Sequence, residues 1–561
     1  MITDGRTVPD GEVVQADLCV VGGGPAGITI ANELTHAGLE VVLLERGPLR
    51  RERPPDPVET AVNSGLPYPV NESRAFEFGG ATYSWRIGTP LGTGFGRFRE
   101  LDEPDFSRRP WIPDSGWPIG KDQLEPFYGR VRSLFDLPWA GDANSDRWQV
   151  DIGEGIFAQG NGIETRPFYF VNPGIFAGNL LRKLELSEKA LVLSNSVATE
   201  IRTDEYPSRV SSLRVRTSSS HGYTVNARIY VLAAGGIENA RLLLASTSRC
   251  SAGIGNQHDV VGRFFMEHPH YASGFLLPEN NGIFDKHTDF GIYLYRGVPV
   301  QKKYSLAEHV LAKEGLSPCA FRLEAKPKNE SVYTLRYGET AIQSLKAASE
   351  LRRGMSQGRS SREIRASLFR VIRGVHHLGR FGVHRARVRL SRRVGLDSYI
   401  QPHLFWIRAM AEQTPDRNSR LFLRRDRDRL GVPLVELNWQ LNAQDRHTFQ
   451  RSQELLGLAW EKAGIGRVQS LVSDRSLPPA LSGGNHHMGT TRMSSSSRKG
   501  VADKDCRVHD VDNLYLAGSS LFPTGGYANP TMTLLALAFR LSDHLQQRFQ
   551  SRLGLSNGGS V

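Results

Sequence analysis

At 561 residues, with 39% hydrophobic residues and 57 glycines, the chain is too long for one compact core and too apolar to be disordered. Two or more domains of a globular α/β protein are expected. A formal net charge of +12 and a pI near 9.6 favour anionic partners without naming one. The cysteines, Cys19, Cys250, Cys319 and Cys506, form no Cys-x-x-Cys and read as ordinary thiols in a reducing compartment. Met1 to Asp17 is polar and acidic, and no run of about 18 apolar residues occurs, so a signal peptide or a spanning helix is not expected. A cytoplasmic location is the default expectation.

The chain is organised around Cys19-Val20-Val21-Gly22-Gly23-Gly24-Pro25-Ala26-Gly27. Apolar Leu18 to Val21 reads as a buried strand, and Gly22-x-Gly24-x-x-Gly27 turns it into a helix. The first glycine allows the tight turn and the second lets backbone approach a pyrophosphate. The third lets helix pack on strand, with the helix N-terminus, including Ala26, toward the phosphates. A second apolar strand ends at Glu45-Arg46, and Glu45 lies 18 residues beyond Gly27 (45 − 27). That is near the roughly 20 expected for an acid that holds a ribose hydroxyl. This half-site does not separate FAD from NAD.

Arg50 to Pro55 is a polar loop. Phe76 to Trp85 then carries the pair Gly79-Gly80, where backbone approaches a bulky ligand. Arg108 to Ile119 is an aromatic-rich loop, and Lys121 to Phe135 has helical spacing. Leu191 to Leu193 and Val210 to Thr217 read as meander strands. Ala227 to Ala234 is an apolar strand that ends in Gly235-Gly236 before a helix from Glu238 to Ala245, a second nucleotide-type turn. Asn513 to Gly518 repeats that pattern, and Thr531 to Leu545 is an amphipathic helix. Gly554 to Val561 reads as a disordered tail. Between Arg352 and Arg393 there are thirteen arginines against one acid, Glu363. There Ile364, Leu368, Val371, Val375 and Leu378 fall at helical spacing, and a solvated helix is favoured over a membrane-surface one.

The fold expected is therefore α/β (α+β mixed), a Rossmann-like nucleotide domain with an inserted substrate domain on a mixed sheet. The cofactor domain takes residues 1–100, 186–270 and 481–550. The substrate part takes 101–185 and 271–480, with a basic segment at 345–395, and 551–561 is a flexible tail.

His486-His487-Met488-Gly489-Thr490-Thr491, followed by Gly525-Gly526-Tyr527-Ala528-Asn529-Pro530-Thr531-Met532-Thr533, closely resembles the glucose–methanol–choline (GMC) flavoprotein oxidoreductases. Motif order agrees along the chain, and the G-G-x-A-N-P-T form is most similar to the pyranose 2-oxidase and sugar-dehydrogenase branch. The resemblance implies bound FAD and an alcohol whose hydride passes to flavin N5. It places the catalytic pair at His486 and Asn529, the histidine as proton acceptor. Cofactor contacts are expected from Gly22, Gly24, Ala26, Gly27, Glu45, Arg46, Gly79, Gly80, Ser84, Val197, Ala234, Gly235, Asn239, Gly518, Ser519, Asn529, Pro530 and Thr531. Relatives that join flavin to histidine do so at the position of Ser84, so the FAD here is expected to be noncovalent. Where many relatives have an aspartate before the glycine, this chain has Ala517.

His487 is read as structural or a flavin neighbour. The His268 and His270 pair beside Glu267 lacks further ligands, and no metal is expected. Trp111, Trp117, Trp406 and Glu412 are pocket candidates that fit core or surface equally well. The expected substrate is a small-molecule alcohol, a sugar, glycoside or polyol. The alternatives are a non-sugar alcohol, including an aminoglycoside, or a flavin-containing lyase of the same fold. Nucleic acid is not expected as a partner, and the acceptor, whether oxygen, a quinone or a protein, is left open.

Overall fold

The computed structural model describes the chain apart from residues 50–60, 138–151, 153–154, 159–161, 205–207, 328–401, 474–475 and 553–561. The arginine-rich segment with its helical pattern and the tail lie outside the described residues. Among those described, no helix is long and apolar enough to cross a membrane.

Six strands form a parallel ladder in the order Ile2–Asp4, Ala190–Ser194, Val41–Leu44, Val13–Val21, Gly222–Leu232 and Leu514–Leu516. Its central strands are continuous apolar runs, as layers covered on both faces require, and Leu18, Cys19 and Val20 have no exposure. Val197–Thr203 and Val210–Arg216 extend the sheet as an antiparallel meander with Gly222–Leu232. Leu191 to Leu193, expected in that meander, pairs instead with Val41–Leu44 in the parallel ladder. Three apolar residues are too short a signal to reveal its partner.

The helices Pro25–His36 and Thr531–Arg552 pack on one another beside this sheet, and Glu125–Leu134 packs on the second. The last begins later than the periodicity suggests because Pro126 favours the first turn. At residue 235 the opposite holds: the glycine pair opens the helix Gly235–Ala245 rather than preceding it.

A second sheet runs Gly466–Ser470, His270–Pro278, Pro402–Ala411, Cys319–Pro327, Val298–Leu306, Ile163–Val171, Gly92–Phe98 and Ile87–Thr89, with Ile292–Tyr295 beside Val298–Leu306. A mixed sheet is the expectation here, yet each of these pairings is antiparallel. A three-stranded sheet of Arg420–Arg427, Pro433–Asn438 and Ala61–Asn63 completes the body.

Behind the last catalytic-type segment sits a buried ion pair. Arg109 donates to both oxygens of Glu412 at 2.6 and 2.8 Å, and Glu412 also accepts from the Gly526 N–H at 3.0 Å. Glu412 has no exposure, so the pair anchors the loop that leads to Asn529. Arg109→Leu leaves that carboxylate buried without its cation. It is expected to cost about 3–5 kcal/mol, read as a lower denaturation midpoint in urea.

Candidate active site

A cavity of about 370 Å³ opens where the parallel strands end, lined by the three nucleotide-type turns. Of the expected cofactor contacts, Gly22, Gly24, Ala26, Glu45, Arg46, Gly80, Ser84, Val197, Ala234, Gly235, Gly518, Ser519, Asn529, Pro530 and Thr531 line it. A Cβ built on Gly24, Gly235 or Gly518 would meet no protein atom within 4 Å, so all three turns leave open space for a ligand against bare backbone. Gly22, at φ +108°, carries the turn itself, since its Cβ would meet the Ala233 carbonyl at 2.6 Å.

Gly27, Gly79 and Asn239 are not in the lining. A Cβ on Gly27 would sit 2.0 Å from the Gly22 carbonyl oxygen, so this glycine serves close packing within the turn. The Gly79 N–H donates to the Gly23 carbonyl at 2.7 Å and joins two cavity loops. Asn239, wholly buried, accepts from the Ala234 N–H and donates to the carbonyls of Leu232 and Ala517, which ties together two sheet-end turns. Glu45 reaches the cavity with its carboxylate already accepting from the N–H groups of Gly23 (2.7 Å) and Gly47 (2.8 Å).

At the other end of the cavity stand His486 and Asn529. Asn529 Nδ2 lies 3.0 Å from His486 Nε2, and Asn529 Oδ1 is buried with no partner among the described residues. His486 Nδ1 lies 2.8 Å from His268 Nδ1, and His268 Nε2 lies 3.3 Å from the Gly525 carbonyl. A carbonyl only accepts, so His268 carries its proton on Nε2 and presents a bare Nδ1. His486 must then donate from Nδ1–H, which leaves its Nε2 as the free base toward Asn529 and the cavity.

Burial and the neighbouring groups keep that base neutral. Burial pushes the His486 pKa well below the ordinary imidazole value, and His268, His270 and Arg97 add in the same direction. Burial likewise pulls His268 down to about 4 and His487 down to about 3.

Beneath the histidines lies Glu267, with no exposure. Its carboxylate accepts from the N–H groups of His268 (3.0 Å), Gly484 (2.8 Å) and His486 (2.8 Å), and from the Tyr68 hydroxyl. Burial raises the Glu267 pKa to about 7, against the opposing pull of these donors. His487 also lines the cavity, its Nε2 held by Tyr68 Oη (2.9 Å) and Ser73 Oγ (3.1 Å).

The comparisons agree with this architecture. The family model described as GMC oxidoreductase matches residues 415–538, and a model described as FAD binding domain matches 15–54. The two matches, one at each end of the chain, support the GMC oxidoreductase family. It is similar over most of its length to the fructose dehydrogenase large subunit of Gluconobacter japonicus, 24% identical over 95% of this chain and 98% of that one. The 2-methyl-1,2-propanediol dehydrogenase of Mycolicibacterium austroafricanum is 24% identical over 95% of this chain and 96% of its own. Among solved structures, a formate oxidase shares the fold with a TM-score of 0.53 at 14% identity, covering 97% of this chain and 100% of that one. This GMC protein is an FAD-dependent alcohol oxidoreductase, and the open glycine-lined cavity fits that cofactor.

The aromatic pocket candidates lie elsewhere. Trp111 donates to the Leu316 carbonyl and Trp117 to Thr524 Oγ1, Trp406 packs edge-on to Phe275, and Glu412 is the buried anchor above. Conversely, Glu267, His268 and Arg97 were missed as site residues. The Glu-His-x-His cluster was visible, but its use as a hydrogen-bond relay is set by a 218-residue contact to His486 that no local spacing carries.

The lowered His486 pKa has a kinetic consequence. A histidine that accepts a proton must be neutral, and a depressed pKa preserves the neutral form to lower pH. Flavin reduction at saturating alcohol is expected to stay level as pH falls through the ordinary imidazole range near about 6.5 and to decline only well below it. A midpoint near the ordinary value in stopped-flow pH profiles would contradict this assignment.

Proposed function

We propose that the enzyme oxidises a hydroxyl of a sugar, glycoside or polyol, with His486 as proton acceptor and Asn529 as the group that holds the oxygen. One observation carries the reading: the bare Nε2 of His486 and the amide of Asn529, 3.0 Å apart, share the cofactor cavity. A hydroxyl that enters between them gives its proton to Nε2 and accepts from the Asn529 N–H. Its oxygen is thereby oriented as it becomes carbonyl-like. Asn529 does this without titrating. His268 positions the base by accepting from Nδ1–H. When bound, FAD supplies the hydride acceptor. The sugar or polyol class is supported by the names of the full-length relatives, one a fructose and one a diol dehydrogenase.

FAD is held without a covalent link at Ser84 in this reading. Ser84 lines the cavity and its hydroxyl donates to the Ala81 carbonyl at 2.6 Å. Acid precipitation is expected to release yellow FAD into the supernatant, and colour retained in the pellet would refute noncovalent binding.

The roles of the pair are separated by anaerobic stopped-flow flavin reduction with a saturating alcohol. His486→Ala is expected to lose about 10²–10⁴-fold in rate while the protein stays yellow. Asn529→Ala should lose less, in line with one orienting hydrogen bond of about 1–3 kcal/mol, and His487→Ala least. Loss of reduction in His487→Ala with retention in His486→Ala would reassign the base.

A further inference from the structure

Beside the cofactor cavity lies a second one of about 220 Å³, on the face of the antiparallel sheet. Arg97 and His270 line both cavities, and the His270 and His486 rings are 6.2 Å apart, so the second continues from the catalytic pair. Its charged lining comprises Arg97, Lys303, Arg322 and Arg408 against a single acid, Glu324. Glu324 is already shared: it lies 2.5 Å from Arg322 and 3.8 Å from Arg408. Arg322 and Arg408 face each other directly across adjacent strands, an arrangement of like charges that costs stability when nothing lies between them.

The other two cations form no salt bridge among the described residues, and Arg97 feels only the charge of Glu324 that Arg322 and Arg408 already share. Lys303 is 2% exposed, and its ammonium sits 3.6 Å from the centre of the Phe168 ring. Arg97 keeps Nε buried without a hydrogen-bond partner. Burial, with Arg97 and Arg322 next, pushes the Lys303 pKa well below its ordinary value. Buried cations are normally paired, because desolvation is otherwise uncompensated. Here the counter-charge that would keep Arg97 and Lys303 protonated is expected from the ligand. A cavity of this depth takes a small group rather than a protein surface.

We infer that the alcohol oxidised carries an anionic group, a carboxylate or a phosphate, which this cavity binds while the hydroxyl lies at His486 and Asn529. The inference rests on the alcohol oxidation proposed above and narrows its substrate to acidic sugars or polyols. It also disfavours aminoglycosides, whose ammonium groups would be repelled. Arg97 acts as a specificity residue, since it borders both cavities.

The test uses the FAD-loaded enzyme and alcohols matched except for charge: glucose, gluconate, glucuronate and glucose 6-phosphate. Anaerobic flavin reduction gives kcat/KM, and isothermal titration of the same compounds gives binding independent of turnover. An anionic member is expected to exceed glucose by at least about 10-fold in both, with the difference in KM rather than kcat. The carboxylate and phosphate arms identify which oxoanion is taken. Arg97→Leu, and separately the more exposed Arg408→Gln, should reduce that preference by about 10-fold or more. Equal binding and turnover of glucose and its anionic counterparts would overturn the inference while leaving alcohol oxidation intact. Preferential anion binding without flavin reduction by any alcohol would uphold the cavity's role and overturn the oxidation reading. A preference unchanged in both variants would overturn the assignment to this cavity.

Discussion

The arrangement of the site depends on one buried carboxylate. Glu267 has two oxygens and four donors: three backbone N–H groups from two distant segments and the Tyr68 hydroxyl. Each of those N–H groups would otherwise be buried or half-buried without a partner, at about 1–3 kcal/mol apiece. The chain meets this cost by bringing residues 267–268 and 484–486 to one point. That convergence sets the His268 ring against the His486 ring. The histidine relay follows from the backbone network rather than from the histidines themselves.

The electrostatics follow from the same burial. With four histidines packed in or near the cavity and Arg97 beside them, a protonated imidazole is disfavoured at each one. The field that keeps His486 neutral also favours negative charge on an oxygen close to it. A neutral histidine and an environment that favours negative charge on a nearby oxygen are thus two outcomes of one charge distribution. The anchoring pair Arg109–Glu412 works at longer range, holding Gly526 and so the approach of the chain to Asn529.

Much of the cofactor half was legible in the sequence because its determinants are local. Glycines at fixed offsets after apolar strands specify turns, and Gly22, Gly235 and Gly518 adopt the positive φ that such turns require. The three expected contacts outside the cavity lining show the limit of that reasoning. Gly27, Gly79 and Asn239 belong to the same motifs, yet they brace the turns from behind, and only three-dimensional packing separates lining from support. The substrate side was far less legible. Arg97, Lys303, Arg322 and Arg408 come from four strands spread over more than 300 residues, and each alone reads as a surface cation. Their convergence follows from strand order, which single-chain periodicity does not encode. Likewise Glu412, Trp117 and Trp406 gave a plausible pocket composition but are buried in the core, and half-buried Trp111 is held by the Leu316 carbonyl.

The central claim is that His486 rests as the neutral Nδ1–H tautomer, its Nε2 bare and directed at the site of the alcohol. Nitrogen NMR of the enzyme labelled with ¹⁵N-histidine, with the His486 signals assigned by comparison with His486→Gln, reads this directly at neutral pH. The account predicts a protonated Nδ1 and an unprotonated Nε2 for His486, together with a protonated Nε2 for His268. An Nε2–H tautomer or an imidazolium at His486 would contradict it.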